Sequence, residues 1–262
     1  MLCTVSPYAE VWMRTVTSKS KKSAGSPVVV FVDVDNTLVR GASIYMFGIE
    51  AWKSGFIRWH HVVPALFHQR SFIKQGETTK RVKSTRERAQ ALAAGHSVAD
   101  FVQVGESAWR RSIAPKVFPD VLATLQEHRD QGRQVWLLTA SPTVLASIIA
   151  RDLRLSGALG TTLEIHEGRF TGEIEGELLH GPIKAAAAKE LAESLGADLS
   201  ACYAYSDSVA DVPLLELVGH PVAVNPDPGL LALATERGWS IMWPEGTSRH
   251  EKSRTKKGRE KR

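Results

Sequence analysis

The run Val28-Val29-Val30-Phe31-Val32 has no polar side chain on either face. It therefore suits a strand covered on both sides, as in the interior of a parallel sheet. It passes directly into two acids, Asp33 and Asp35, with Thr37 two positions further on. The carboxyl end of a strand is where open α/β sheets bind ligands. At a strand's period of two, both aspartates are expected on one face. Two acids in such a place are costly unless a cation or a proton neutralises them. Capping of the next helix accounts for one of them, but not for both and the threonine.

Three later segments supply partners. Val135-Trp136-Leu137-Leu138 is again an apolar strand, delivering the hydroxyl of Thr139 at its end, before Ala140 and Ser141. It follows a helix expected over 121–131 that stops at Gly132. Gly181-Pro182-Ile183-Lys184 opens a helix with proline in its first turn. A lysine there is mildly disfavoured by the helix dipole, a penalty that a bound anion reverses. The strand at Cys202–Tyr205 runs into Ser206-Asp207-Ser208-Val209-Ala210-Asp211. A spacing of four brings Asp207 and Asp211 within reach of one site as a helix begins. Four carboxylates together would form an oxygen-rich cage, which suits Mg²⁺ better than zinc.

Taken in order, these segments resemble the four motifs of the haloacid-dehalogenase-like (HAD) phosphohydrolases, over roughly residues 28–243. The resemblance implies a Rossmann-like three-layer α/β/α core with a parallel sheet and an inserted helical cap of the first (C1) type. It implies Mg²⁺-dependent hydrolysis of a phosphomonoester through an aspartyl-phosphate. Asp33 is then the nucleophile, and Asp35 the acid that protonates the leaving oxygen and later activates water. Thr37 and Thr139, with Ala140, would hold phosphoryl oxygens, and Lys184 would neutralise their charge. The metal would take Asp33, Asp207 and the backbone carbonyl of Asp35, with Asp211 in support through water or Lys184. Ser206 and Ser208 stand where many relatives have glycine. Ala210 stands where phosphoserine phosphatases commonly carry Asn.

The segment from Ser43 to Pro119 is far longer than an ordinary βα connection. It reads as helical, with breaks at Gly55, Pro64, Gly76 and Gly95. The core is thus expected over 27–41 and 119–243, with the cap over 42–118. Tyr45, Phe47, Trp52, Phe56, Trp59, Phe67 and Phe72 suit the core of a small helical bundle, with a greasy lid over an amphiphilic substrate as the alternative. His60, His61 and His68 lack Cys or Asp partners at ligand spacing and are not read as a metal site. Downstream, a helix is expected at 143–153, a hairpin through His166–Arg169, a strand at 221–225 and a helix near 227–237.

Within the superfamily the helical cap and the Pro-Leu-Leu after Asp211 look most like the phosphoserine-phosphatase-like subfamily, IB. Those enzymes usually place a Glu nine residues after the nucleophile, against the substrate ammonium. Here the position is Ala42. Losing that charge-assisted bond costs about 1.5–3 kcal/mol. A small phosphorylated metabolite without the full amino-acid headgroup is therefore expected, with phosphoserine itself or a phosphotransfer acceptor as alternatives.

The net charge of +5 is concentrated at the ends. Residues 244–262 contribute +5 and residues 1–26 contribute +3, leaving 27–243 at −3. Both ends have few large apolar residues and are expected to be disordered. The end segment from Arg249 has no aromatic residue on which bases could stack, so no nucleic-acid partner is expected. Two cysteines, Cys3 and Cys202, cannot build a disulfide framework. With no apolar span of about 20 residues and no apolar leader, a cytoplasmic location is expected. Oligomeric state is not legible.

Overall fold

A computed structural model of the chain describes residues 26–57 and 93–247. Strand β1 (Val29–Val32) is buried along its whole length. Its side chains alternate between two apolar layers. Val30 and Val32 enter one with Val121, Leu125, Leu145 and Ile149. Val29 and Phe31 enter the other with Ala188, Ala192, Leu214 and Leu230. That two-sided burial is why the run contains no polar residue.

Helix α1 (Ser43–Lys53) follows β1, and α2 (Val98–Ala108) continues through a π turn at Trp109–Ile113 and a 3₁₀ turn at Ala114–Lys116. The core resumes with α3 (Pro119–Asp130), β2 (Gln134–Pro142), α4 (Thr143–Asp152) and β3 (Gly157–Thr161). An antiparallel hairpin, β4 (Leu163–His166) and β5 (Arg169–Ile174), precedes α5 (Pro182–Leu195). The chain then runs through β6 (Tyr203–Ser206), α6 (Val212–Leu217), β7 (His220–Val224), α7 (Pro228–Glu236) and β8 (Ser240–Met242).

The main sheet has six strands in the order β3-β2-β1-β6-β7-β8, every pair parallel. The chain builds outward from β1 on one side and then returns to build outward on the other. The reversal falls between β1 and β6, which makes the crevice at their carboxyl ends the topological switch point of the sheet. The architecture is the three-layer α/β/α core expected from the sequence.

The expected helices and strands lie within a few residues of their observed bounds. Strand β3 is hard to read from the sequence, because Gly157-Ala158-Leu159-Gly160-Thr161 carries two glycines and little β-branching. Gly160 is needed there: a Cβ on it would lie 2.6 Å from the Ser141 carbonyl oxygen. The hairpin turns at Glu167 and Gly168, both at positive φ (49° and 75°), which is type I′ geometry.

That hairpin packs on the inserted segment. Gly95 donates its N–H to the Phe170 carbonyl, and Phe170 donates to that of His96. The rings of Phe47 and Phe101 stack with centroids 4.5 Å apart, and Phe170 meets Phe101 edge-on at 5.1 Å. Phe47 and Phe56 thus serve as packing, whereas Trp52 is half exposed. The helix break expected at Gly55 is present, just after α1. Pro64, Gly76, Trp59, Phe67, Phe72, the three histidines and most of both basic ends lie outside the described residues.

Candidate active site

The crevice at the switch point gathers the acids singled out in the sequence, but not as a flat row. The Asp33 N–H donates to the Tyr205 carbonyl at 2.9 Å, extending the β1–β6 ladder by one residue and fixing the nucleophile candidate at the strand end. The chain then turns sharply. Asn36 adopts a left-handed conformation (φ 60°), one that Asn tolerates better than most residues. The Asn36 carboxamide oxygen accepts the Gly41 N–H at 3.1 Å.

The turn brings Asp35 to the start of α1. Ala42, at the N-cap of that helix, has no capping side chain. Asp35 Oδ1 replaces it, accepting the Ser43 N–H at 2.8 Å. β1 ends at Val32, so both aspartates lie just past the strand, and one of the two caps the next helix.

Lys184 occupies the centre of the site. Gly181 precedes α5 at φ 55°, ψ −125°, a conformation open in practice only to glycine. This turn delivers Lys184 inward from the first turn of the helix. Its Nζ lies 2.8 Å from Asp33 Oδ1 and 2.7 Å from Asp211 Oδ2, and the side chain is 3% exposed. It is a buried bridge rather than a solvated lysine. Ser206 adds its hydroxyl to Asp211 Oδ2 at 2.7 Å. The Ser208 hydroxyl accepts the Ala210 N–H and caps the 3₁₀ turn that carries Asp211. The serines that replace glycines in this loop thus have structural work.

Thr37, expected on a phosphoryl oxygen, points its hydroxyl at Asp207 Oδ1, 3.4 Å away. Thr139 is buried, and its hydroxyl accepts the Ser141 N–H at 3.1 Å. The Ala140 carbonyl accepts the Thr161 hydroxyl at 2.8 Å, which ties the β2 end to β3. Three residues that the sequence reading passed over hold the site together. Asp227 accepts the Val209 N–H at 2.9 Å and donates its own N–H to the Asp207 carbonyl at 2.8 Å. Ser43 and Ser141 place their hydroxyls 2.9 Å apart between α1 and β2.

Charge in the crevice is unbalanced, with four carboxylates around one ammonium. Burial pushes the Asp33 carboxyl up to about 6, against the pull of Lys184 and with a further push from Asp211 and Asp35. Burial, then Asp33 and Asp211, also hold Asp207 well above the ordinary carboxylate range. Burial raises Asp35 too, while the bond from the Ser43 N–H opposes the rise. Lys184 is held firmly protonated by Asp211 and Asp33 despite its burial. Asp211 Oδ1 is buried with no hydrogen-bond partner.

These features fit a hard divalent cation. The available donors are oxygens, the acids repel one another, and one buried carboxylate oxygen is orphaned. The four-carboxylate cage expected from the sequence is corrected, however. Among the described residues no three His, Cys, Asp or Glu side chains gather as a metal cage, and Lys184 stands between two of the acids. A cation here would depend on carbonyl, water and ligand oxygens as well, the usual habit of Mg²⁺.

A family model for haloacid dehalogenase-like hydrolases matches residues 30–216. The phosphoserine phosphatase SerB1 of Mycobacterium tuberculosis is 46% identical over 212 residues, covering 80% of this chain and 69% of that protein. The chain belongs to the haloacid dehalogenase-like hydrolases. Among solved structures, a Bordetella pertussis protein of unknown function superposes with a TM-score of 0.72 at 27% identity, over 83% of this chain and 99% of its own. A phospho-aspartyl intermediate analogue of phosphoserine phosphatase shares the fold, with a TM-score of 0.58 at 20% identity, over 87% of this chain and 97% of that one.

Proposed function

We propose that the chain is a Mg²⁺-dependent phosphomonoester hydrolase that works through an aspartyl-phosphate on a small phosphorylated metabolite. The observation that carries this reading is the buried Lys184 bridge to Asp33 and Asp211 at the switch-point crevice. Asp33 Oδ1 is committed to Lys184, which aims the carboxylate and leaves its second oxygen for attack. In the first step that oxygen bonds to phosphorus as the ester P–O bond breaks, and Asp35 gives its proton to the departing oxygen. In the second, water attacks phosphorus, its proton passes to Asp35, and the Asp33–phosphorus bond breaks to release phosphate. Lys184 and the hydroxyl and N–H groups at the end of β2 meet the phosphoryl charge.

Asp33, Asp207 and the Asp35 carbonyl would hold Mg²⁺, with Asp211 acting through Lys184. The ion would supply charge neutralisation between an anionic nucleophile and an anionic phosphate. Chelation by EDTA is expected to abolish turnover and added Mg²⁺ to restore it. Asp207→Ala should raise the Mg²⁺ concentration needed for half-maximal rate by about tenfold or more. A rate unchanged in chelator would show that these acids hold no metal. Cys202 is a free, buried thiol, and among the described residues no helix is long and apolar enough to cross a membrane. A cytoplasmic setting is consistent with both.

Phosphoserine is the competing substrate, favoured by the name of the Mycobacterium tuberculosis relative. Two features of this chain weigh against it. Ala42 offers no carboxylate to an ammonium. Glu50, the acid of α1, is engaged by Lys53 and by the Ser112 hydroxyl, each at 2.9 Å, and these bonds hold its carboxyl below the usual range. Breaking both contacts to free Glu50 would forfeit about 1–3 kcal/mol. Measurement of kcat/KM across a phosphomonoester panel, with the hydrolysed and transferred phosphate counted separately, decides the matter. L-phosphoserine is expected to be surpassed by a phosphomonoester lacking the amino-acid headgroup. A phosphoserine value tenfold above every competitor would overturn this substrate assignment. Restoring the acid with Ala42→Glu should raise phosphoserine turnover.

A further inference from the structure

Asp35 is tied to two serines, Ser43 and Ser141, that carry no role in the four motifs. Ser43 donates its backbone N–H to Asp35 Oδ1 at 2.8 Å. The Ser43 hydroxyl lies 2.9 Å from Ser141 Oγ, and both serines are buried, at 0% and 4% exposure. Ser141 in turn donates its N–H to Thr139 Oγ1 at 3.1 Å. One connected path thus joins the turn after β1, the first residue of α1 and the end of β2. The path reaches the carboxylate through the Ser43 N–H.

We propose that Ser43 and Ser141 form a positioning pair that fixes the orientation of Asp35 for proton transfer to the leaving oxygen. This rests on the aspartyl-phosphate reading above, in which Asp35 is the acid. Both serines act through Asp35 and touch no reacting atom. The physical need is rotational. A carboxyl at the end of one torsion can sweep a wide arc, and general acid catalysis requires it within hydrogen-bond reach of one ester oxygen. The Ser43 N–H opposes that sweep, and the Ser141 hydroxyl, carried on β2, holds Ser43 in place. The same pair ties the start of the inserted segment to the sheet, so the acid is set by the seam between them.

The test exploits leaving groups. An alkyl phosphate expels a strongly basic oxygen and needs its proton, whereas p-nitrophenyl phosphate expels a weakly basic phenolate that can depart without one. Glycerol 2-phosphate and p-nitrophenyl phosphate would be compared for the parent, Ser43→Ala, Ser141→Ala, the double variant and Asp35→Asn. Ser43→Ala is expected to lower kcat/KM for glycerol 2-phosphate by about 30-fold, while kcat/KM for p-nitrophenyl phosphate falls less than about threefold, since that ratio omits the later hydrolysis common to both probes. Ser141→Ala should show the same selectivity to a similar degree, because either change removes the one hydroxyl bond that anchors Ser43. The double variant should add little to Ser43→Ala, because the two act in series. Asp35→Asn should give the same selectivity more strongly.

Equal loss of kcat/KM on both probes would mean that the pair only supports the fold, and would overturn the proposal. Full retention of activity by Ser43→Ala would overturn it as well. If the parent hydrolyses neither probe, or if Asp33→Asn remains active, the hydrolase reading itself fails and this inference falls with it.

Discussion

Asp33→Asn is expected to fold as the parent does and to lose phosphatase activity by at least about a thousandfold. The substitution replaces a carboxylate with a neutral amide of the same shape. An amide cannot form the aspartyl-phosphate, and it is a poor metal ligand, so attack and cation binding are lost together. Stability should not suffer. Asp33 sits in a crevice where four carboxylates face one ammonium, and burial with two neighbouring acids already pushes its carboxyl up to about 6. An Asn oxygen still accepts from Lys184, and the removed charge relieves repulsion on Asp211 and Asp35. Thermal melting and steady-state hydrolysis of p-nitrophenyl phosphate check both halves. Activity within tenfold of the parent would sink the nucleophile assignment. A melt many degrees lower would show instead that the charge itself helps to hold the crevice.

Much of this arrangement was legible in the sequence because the relevant signals are short-range. An apolar pentapeptide followed by acids fixes a buried strand and its business end, and Pro182 after Gly181 fixes where α5 starts. What the sequence withheld lies across distance. Nothing in Asp-Val-Asp predicts that a turn through a left-handed Asn36 will carry the second acid to the start of α1. Lys184 reads as a surface residue until the fold brings it beneath Asp33, 151 positions away. Ser206 and Ser208 register in the sequence only as missing glycines. Their bonds, to Asp211 and to the Ala210 N–H, exist because a 3₁₀ turn folds the loop back on itself. Asp227 is visible in hindsight. An Asp directly before Pro228 is a good N-cap, and it caps α7 through the Leu230 N–H while also holding the Asp207 loop. The cation cage was over-read, since four acids counted along the chain ignore the ammonium that separates two of them.

The same crevice makes Lys184→Met the variant with the largest expected cost to folding. Methionine keeps most of the apolar stem but removes the ammonium between Asp33 and Asp211. Two buried carboxylates then face each other without a counter-ion, the circumstance in which breaking a buried ion pair costs about 3–5 kcal/mol. Denaturant melts should report that loss as a lower midpoint at unchanged slope. Activity should fall by at least about a thousandfold, because in the proposed mechanism Lys184 both aims Asp33 and offsets the phosphoryl charge. Adding Asp211→Asn separates the two roles. It removes one of the stranded anions, and Ser206 can still donate to the new amide oxygen. The double variant should therefore regain a large part of the stability lost by Lys184→Met, with a coupling of about 1–3 kcal/mol. It should regain none of the activity, since the phosphoryl group still lacks its cation. Recovery of both together would mean that Lys184 serves only to neutralise Asp211. Recovery of neither would mean that the bridge matters for its shape and not for its charge.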